Sequence, residues 1–282
     1  MSTIDPVISW HRGDIEQRCG FHGGRFTRVN SLLSFLIAVA GTLAIYGALV
    51  PLQGTVLGDM LTQRGPTQHA TVFLSCWSLA ILFLKWRKLA MQRQVVACQV
   101  MPESHSFVLS AATVDQVIQR IYETVDDPKR FLLFNRMIVA LSNLRNLGRV
   151  GDVDDILRSQ AAQEEASMET SYSLVQGFVW AIPVLGFIGT VLGLSDAIGA
   201  FSQVLSSAND ISQISGALKG VSLGLSTAFE TTLVALVAAL VIQLLLTGLK
   251  KSEEEFLDEC AEYCVRDVVG RLRIMPFERE SG

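Results

Sequence analysis

The stretch VLGFIGTVLGLSDAIGAF, residues 184–201, is apolar enough to lie in a lipid bilayer but also carries glycine, threonine, serine and aspartate. A helix that only anchored a protein in a membrane would be better built from leucine. Small residues in membrane helices allow close approach of another helix. The stretch therefore predicts a membrane helix with a close neighbour, and the nature of that neighbour decides both fold and function.

The composition of the chain favours a membrane protein. Half of the 282 residues are hydrophobic and only 18% are charged, and the mean hydropathy is +0.38, which is more apolar than an ordinary soluble domain. A net charge of -4 argues against a nucleic-acid partner. The five cysteines are scattered, so we expect no disulfide framework, and the N-terminal residues predict no cleaved signal peptide.

Four apolar runs approach or exceed the roughly 20 residues that a membrane-spanning helix needs. The predicted spans are residues 31–52, 70–86, 175–201 and 221–249. Apolar residues at helical spacing predict further helices between the second and third spans and after the fourth. The predicted fold is an all-α integral membrane protein with four transmembrane helices, a helical cytoplasmic domain between spans two and three, and a C-terminal cytoplasmic helix.

The placement of lysine and arginine predicts the orientation, because basic residues concentrate on the cytoplasmic side. The loops after spans one and three hold only Arg64 and Lys219, whereas the other span ends are richer in basic residues. Both termini are therefore expected in the cytoplasm. The predicted segments are 1–30 (cytoplasmic), 31–86 (spans one and two), 87–172 (helical cytoplasmic domain), 173–249 (spans three and four) and 250–282 (cytoplasmic helix).

Small and hydroxyl-bearing residues share one side of each of the last two spans. Thr190 and Thr231 lie at about the same depth, so a ring of such helices would place a collar of hydroxyls around a narrow passage. Pro183 frees a backbone carbonyl on the same face. Plain helix packing, with each threonine bonded to its own helix, is the alternative. At about 100° per residue, the shared sides hold Pro183, Gly186, Thr190, Gly193 and Ala197, and Gly220, Gly224, Thr227, Thr231 and Ala238.

Asp196 and Glu230 are the acidic residues within these two spans and are candidate proton-relay groups. Asp196 lies nearer the outside and points away from Thr190, so a packing or interfacial role is equally open. Glu230 lies closer to mid-membrane, where it either relays a proton or makes a buried hydrogen bond to a neighbouring helix. Lone carboxylates do not make a transport cycle, which implies that the obligatory ion carrier belongs to a partner.

These two spans resemble the pore helices of the MotA/TolQ/ExbB family of ion-motive-force channel subunits. IPVLGFIGTVLGLSDAIGAF (182–201) is similar to the family's Pro-then-Gly-x-x-Gly-Thr helix, and ALKGVSLGLSTAFETTLVALVAALV (217–241) is similar to its last pore helix. Four spans with a large inner domain resemble MotA more than TolQ or ExbB. The resemblance implies a homopentamer in the bacterial inner membrane, with spans three and four lining the pore and spans one and two forming an outer ring.

The resemblance further implies a dimeric, single-span partner of the MotB/TolR/ExbD type that carries the ion-binding aspartate. Passage of H⁺ or Na⁺ would drive rotation of the pentamer around this partner, and no cofactor, metal or enzymatic activity is expected. The doublet Thr231–Thr232 also resembles sodium-driven stators, which keeps Na⁺ open. The residues predicted to pack on the partner helix are Gly186, Gly189, Gly193, Ala197, Gly220 and Gly224.

The pore threonines follow from the resemblance residue by residue. Thr190 matches the family's threonine on the first pore helix. For the second helix, alignment favours Thr232, whereas the helical wheel favours Thr231 and Thr227. The predicted ion path therefore includes all four threonines and Pro183.

The sequence bears on three rival classes of function. A solute transporter would usually show a repeat, and an intramembrane hydrolase would need a nucleophile and a base at one depth; the sequence offers neither. A scaffold without ion flux stays open, because small-residue stripes would pack equally well. Within the family, flagellar torque and energisation of the outer membrane are both compatible with the sequence. Phage-defence motors have similar pore helices but carry a long cytoplasmic tail after the last span, whereas here about 30 residues follow it, a length that suits one or two short helices.

Overall fold

The structure, a computed structural model, describes residues 8–21, 23–52, 54–62, 64–96, 98, 109, 113–147, 150–206 and 211–272. Within these ranges the chain is helical, with two isolated bridges and no strand. The α-helices are α1 (Trp10–Gly13), α2 (Ile15–Arg18), α3 (Ser31–Leu49), α4 (Val56–Thr62), α5 (Pro66–Val96), α6 (Val114–Thr124), α7 (Leu132–Leu147), α8 (Val150–Ser171), α9 (Ser173–Ser206) and α10 (Ile211–Tyr263). Single 3₁₀ turns occupy Val50–Leu52, Pro128–Arg130 and Val269–Arg271, and a π-helical turn occupies Cys264–Val268.

Four helical segments are long and apolar enough to cross a bilayer, namely Ser31–Leu49, Pro66–Val96, Val153–Ser202 and Leu218–Arg271. The all-α fold and the four candidate spans are therefore confirmed. Helix α5 extends beyond the predicted second span at both ends, through residues 66–69 before it and 87–96 after it.

The predicted separate tail helix is wrong in one respect, because it is the continuation of the fourth span. Helix α10 runs without interruption from Ile211 to Tyr263. The residues after Leu249 read KKSEEEFLDECAEY, which contains strong helix formers and neither proline nor glycine, so nothing ends the helix there. The predicted long helix before the third span is likewise almost continuous, since only Tyr172 separates α8 from α9.

Contacts divide the chain into two compact units. Unit 1 comprises Met1–Asn30, Leu84–Ser171 and Leu249–Gly282, and unit 2 comprises Ser31–Phe83 and Tyr172–Gly248. The five segments predicted from the sequence stay a prediction. Unit 2 contains the apolar helical runs, whose outward faces carry large exposed side chains such as Phe187, Phe229 and Leu240; this is the surface expected of helices that lie in lipid.

The core of unit 1 is built by amphipathic helices. Helix α6 buries Val114, Val117 and Ile121 along one face, which is the period-3.6 pattern expected of a helix on a core. The C-terminal part of α10 buries Phe256 and Cys260 completely or almost so. The predicted apolar stripe of the tail thus packs inside this unit.

Unit 1 also buries several charged side chains. Lys85 Nζ lies 3.3 Å from Glu253 Oε2, with both side chains at most 4% exposed, and Thr27 donates a hydrogen bond to the other oxygen of Glu253. Lys88 Nζ lies 2.6 Å from Glu16 Oε2, in an equally buried pair. Because a buried charge without a partner is strongly destabilising, these pairs fix α5, α10 and the N-terminal segment together within unit 1.

The short helix α1 is held in place by Asp126. The carboxylate accepts hydrogen bonds from the backbone N–H of Trp10 (2.8 Å) and of His11 (3.2 Å) and from the Ser9 hydroxyl (2.7 Å). The Trp10 ring is fully buried and packs edge-on against Phe131, with 5.2 Å between ring centroids. Burial alone raises the pKa of Asp126, but these hydrogen bonds outweigh it and hold the pKa below its ordinary value.

We expect Asp126→Asn to lower the stability of unit 1 at neutral pH by about 1 kcal/mol or less, because the site is partly solvated. A carboxyl whose pKa is lowered on folding stabilises fully above its unfolded pKa of about 3.9 and loses this contribution as the pH falls through the folded value. Thermal unfolding in detergent should therefore show a difference between wild type and variant at pH 7 that shrinks below about pH 4.

The matched control is Asp127→Asn, which removes a carboxylate that pairs with Arg130 at 3.0 Å on the surface. We expect a change of only a few tenths of a kcal/mol there. A difference at Asp126 that does not shrink in acid would contradict the assigned role of its charge.

Candidate ion-path site

Helices α9 and α10 touch through their backbones in unit 2. A Cβ atom placed on Gly193 would lie 2.7 Å from the carbonyl oxygen of Gly224 and 2.8 Å from the amide nitrogen of Ala228. Reciprocally, a Cβ atom on Gly224 would lie 2.7 Å from the Gly193 oxygen and 2.8 Å from the Ala197 nitrogen. All four distances are far below an ordinary van der Waals contact of a Cβ atom, so only glycine fits at these two positions.

The contact continues in both directions. A Cβ atom on Gly186 would lie 2.5 Å from the Cβ atom of Ala235. A Cβ atom on Gly189 would lie 2.6 Å from Thr231 Oγ1. At the other end of the contact, a Cβ atom on Gly220 would lie 3.1 Å from the Cβ atom of Ala200. As the residue number rises along α9, the number of the contacted residue falls along α10. The two helices are therefore antiparallel and closely packed over several turns.

The small residues that were predicted to pack on a foreign partner helix line this contact between two helices of the same chain. Their packing on a partner stays a prediction, since no partner helix is present. The residues concerned are Gly186, Gly189, Gly193, Ala197, Gly220 and Gly224.

Thr190 and Thr232 meet at one edge of this contact. Their hydroxyls hydrogen-bond to each other. Thr190 Oγ1 also lies 3.1 Å from the Ala228 carbonyl oxygen, and Thr232 Oγ1 lies 3.0 Å from that of Gly186. Both side chains are half-buried. Two hydroxyl and two carbonyl oxygens thus cluster on otherwise apolar helices, which is the type of group that can replace the hydration shell of a cation.

The other two candidate ion-path threonines of α10 make other contacts. Thr231 is buried, and its hydroxyl lies 2.9 Å from the Thr227 carbonyl and 3.2 Å from that of Ala228, both on its own helix. Thr227 bonds back to the Leu223 carbonyl at 3.0 Å. The sequence left open which threonine of α10 lies beside Thr190. In the structure it is Thr232, the residue favoured by alignment, rather than Thr231 or Thr227, which the helical wheel favoured. Pro183 lies half-buried within α9.

Glu230 forms an ion pair with Arg64. Arg64 Nε and Nη2 donate to the two carboxylate oxygens at 2.9 and 3.0 Å, with side-chain exposures of 16% for Arg64 and 25% for Glu230. Ser226 donates to the same carboxylate at 2.5 Å, and Arg64 Nη1 reaches Thr227 at 3.2 Å. This bidentate geometry is the strong form of an arginine–carboxylate contact.

Glu230 and Thr232 are two residues apart and so project about 200° from each other around the helix. The sequence left two roles open for Glu230, a proton relay and a buried hydrogen bond to a neighbouring helix. The ion pair corresponds to the second role, although the partner, Arg64, lies in the segment before α5 rather than in a spanning helix. Asp196 lies exposed on α9. The structure therefore brings neither acidic candidate to the threonine pair.

Sequence reasoning treated Arg64 only as a charge in an outer loop and missed its contact with Glu230. A signal was present, because a lone arginine in a loop poor in basic residues and the lone glutamate of the fourth span are natural partners where charge is hard to solvate.

The site lies in a region with a recognised family pattern. Residues 134–262, just under half of the chain, match the model of the MotA/TolQ/ExbB proton channel family. The resemblance drawn from the two pore-helix motifs is confirmed. The MotA/TolQ/ExbB match includes all of α9 and nearly all of α10, and the matched family is one of channels rather than enzymes. The searches of curated proteins and of solved structures each found no match.

We expect Gly193→Ala to destabilise the protein by about 1–3 kcal/mol, because the added methyl group meets backbone atoms that cannot turn away. Gly199 on the same helix offers a matched control, since a Cβ atom there meets nothing within 4 Å. Gly199→Ala should leave the thermal unfolding temperature in detergent unchanged or slightly raised. Equal effects at both positions would contradict the close α9–α10 contact.

We expect the effects of Arg64→Gln and Glu230→Gln on thermal stability to be strongly non-additive, with a coupling of about 1 kcal/mol. Each single change leaves one partner unpaired in a partly buried site, whereas the double change removes both charges. Additive effects in this double-mutant cycle would show that the ion pair does not form.

The same variants separate the two roles of Glu230. If Glu230 only stabilises the fold, the double variant should conduct ions at a rate within about twofold of wild type once equal amounts of folded protein are reconstituted. Loss of flux in every variant that lacks Glu230 would instead identify it as a proton carrier.

Proposed function

We propose that this chain is the pore-forming subunit of a rotary ion channel with five copies of the chain around two copies of a partner. In this proposal ion flow across the inner membrane, with H⁺ as the favoured ion, performs mechanical work through the partner. The carrying observation is the Thr190–Thr232 hydroxyl contact, which lies on two antiparallel helices of span length inside the family-matched region.

The chemistry of the threonine pair supports passage of an ion rather than tight binding of that ion. Hydroxyl and carbonyl oxygens are neutral ligands, so they can replace water around a passing ion without holding it as a carboxylate would. Within the part of the chain that the structure describes, no acidic side chain hydrogen-bonds to Thr190 or Thr232. The ion-binding carboxylate is therefore assigned to the partner, a dimer of single-span chains of the MotB/TolR/ExbD type.

The packing of the small residues within the chain bears on where that partner would lie. Because the small faces of α9 and α10 are occupied by each other, the partner helix would contact the edge of this helix pair on which Thr190 and Thr232 lie. In a pentamer, five such edges would surround the partner. The lysine and arginine distribution supports cytoplasmic termini for the chain.

We expect Thr190→Val and Thr232→Val each to lower ion flux in reconstituted vesicles at least tenfold, because valine keeps the shape but removes the oxygen ligand. Thr190→Ser should keep most of the flux. Thr247→Val is the matched control, since Thr247 is exposed on α10 and bonds to the Gln243 carbonyl of its own helix at 2.9 Å. Unchanged flux in Thr190→Val would remove the threonine pair from the ion path.

The stoichiometry is tested by native mass spectrometry of the complex obtained when the chain is co-expressed with the product of the adjacent gene. Five copies with two copies of a small single-span protein would support the motor. A monomer or dimer without a partner would contradict it. Flux measured at constant pH with and without a sodium gradient decides between H⁺ and the alternative, Na⁺.

A non-conducting scaffold is the second candidate. It is favoured by the same packing, because every oxygen of the threonine pair already has a hydrogen-bond partner within the chain. A scaffold would assemble with its partner but show no flux in wild type, so the vesicle assay separates it from the channel.

A further inference from the structure

A cleft with a volume of about 360 Å³ lies in unit 1 between α1 and the C-terminal part of α5. Two arginines, Arg12 from α1 and Arg87 from α5, line it together with the amide side chain of Gln94. None of its lining residues among those that the structure describes is acidic.

The two arginines differ from the other basic residues of this part of α5. Lys85, Lys88 and Arg93 each have an acidic partner within 4 Å. Within the described part of the chain, neither Arg12 nor Arg87 forms an ion pair, and both side chains are exposed to the cleft and solvent. The cleft therefore holds two positive charges without an ion-pair partner among the described residues.

The position of Arg12 beside α5 is fixed by packing. A Cβ atom on Gly13 would collide with the sulfur of Met91, so α1 lies directly against α5 at this point. The buried Trp10 and the hydrogen bonds to Asp126 hold the same turn from the other side. Because the backbone is anchored on both sides of Arg12, no backbone rearrangement is needed to bring the two arginines to one cleft, which lowers the cost of binding.

The place of the cleft along α5 indicates the source of a ligand. The apolar run of this candidate span ends at Leu84, and the sequence continues with Lys85, Trp86, Arg87 and Lys88. Trp86 is 54% exposed, and exposed tryptophan is typical of the level of lipid headgroups. Basic pockets just beyond a membrane span are suited to anionic headgroups.

We propose that the Arg12–Arg87 cleft binds the phosphate group of an anionic phospholipid. Planar guanidinium groups match phosphate oxygens in bidentate geometry, and the Gln94 amide adds a neutral donor. The site lies wholly outside the family-matched residues 134–262, and it depends neither on ion conduction nor on the threonine pair. Its occupant would tie the N-terminal segment and α5 to the lipid leaflet.

The test uses the full-length protein in detergent, titrated separately with phosphatidylglycerol and with phosphatidylcholine and read by native mass spectrometry. We expect wild type to bind phosphatidylglycerol preferentially and Arg12→Gln and Arg87→Gln to bind it about tenfold more weakly each. Arg93→Gln is the matched control on the same helix, because Arg93 is exposed but donates to the Ser252 carbonyl at 2.8 Å. Its lipid affinity should match that of wild type.

Ala90→Glu provides an independent variant, since it adds a negative charge to the cleft while leaving both arginines in place. It should also weaken phosphatidylglycerol binding, with an unchanged circular dichroism spectrum showing intact folding. Equal lipid affinity in wild type and all cleft variants would overturn the proposal. Competition by inorganic phosphate or glycerol 3-phosphate at low millimolar concentration that abolishes lipid binding would overturn the assignment to a lipid and identify a site for soluble phosphate.

Discussion

The close antiparallel contact between α9 and α10 is the constraint on which the rest of unit 2 depends. At Gly193 and Gly224 the two backbones leave no space for a side chain. In lipid, helices gain little from burying apolar groups, so association depends on such close van der Waals packing. The stripe of small residues therefore stabilises the association of these two helices, as a leucine core does in a soluble protein.

This contact also sets the geometry of the candidate ion path. With the helix axes this close, the side chains of Thr190 and Thr232 at the edge of the contact are near enough to share a hydrogen bond. The same contact buries Thr231 between the helices, where its hydroxyl bonds to its own helix. Neighbouring threonines on one helix thus have different environments because they lie on different sides of the contact line.

Buried and half-buried ion pairs serve the two units differently. In unit 1, Lys85 with Glu253 and Lys88 with Glu16 join segments that are far apart in the sequence. In unit 2, Arg64 and Glu230 join the segment before α5 to the middle of α10. Each pair balances a charge that would be costly alone in an apolar environment. Arg12 and Arg87 of the α1–α5 cleft have no ion-pair partner among the residues that the structure describes, and for that reason they are the basis of a binding proposal.

The sequence by itself determined the helical class, the four candidate spans, the amphipathic helices of unit 1 and the family of the pore helices. These follow from local periodicity and from a short motif, both of which depend on residues close together in the chain. It also indicated that Thr190 and a threonine of the doublet lie at one depth. The tertiary structure decided which threonine of the doublet meets Thr190 and which helix covers the glycines, and it paired Glu230 with Arg64. These depend on the rotation of packed helices and on contacts between distant segments, because a helical wheel gives directions around one helix but not the neighbour that lies there.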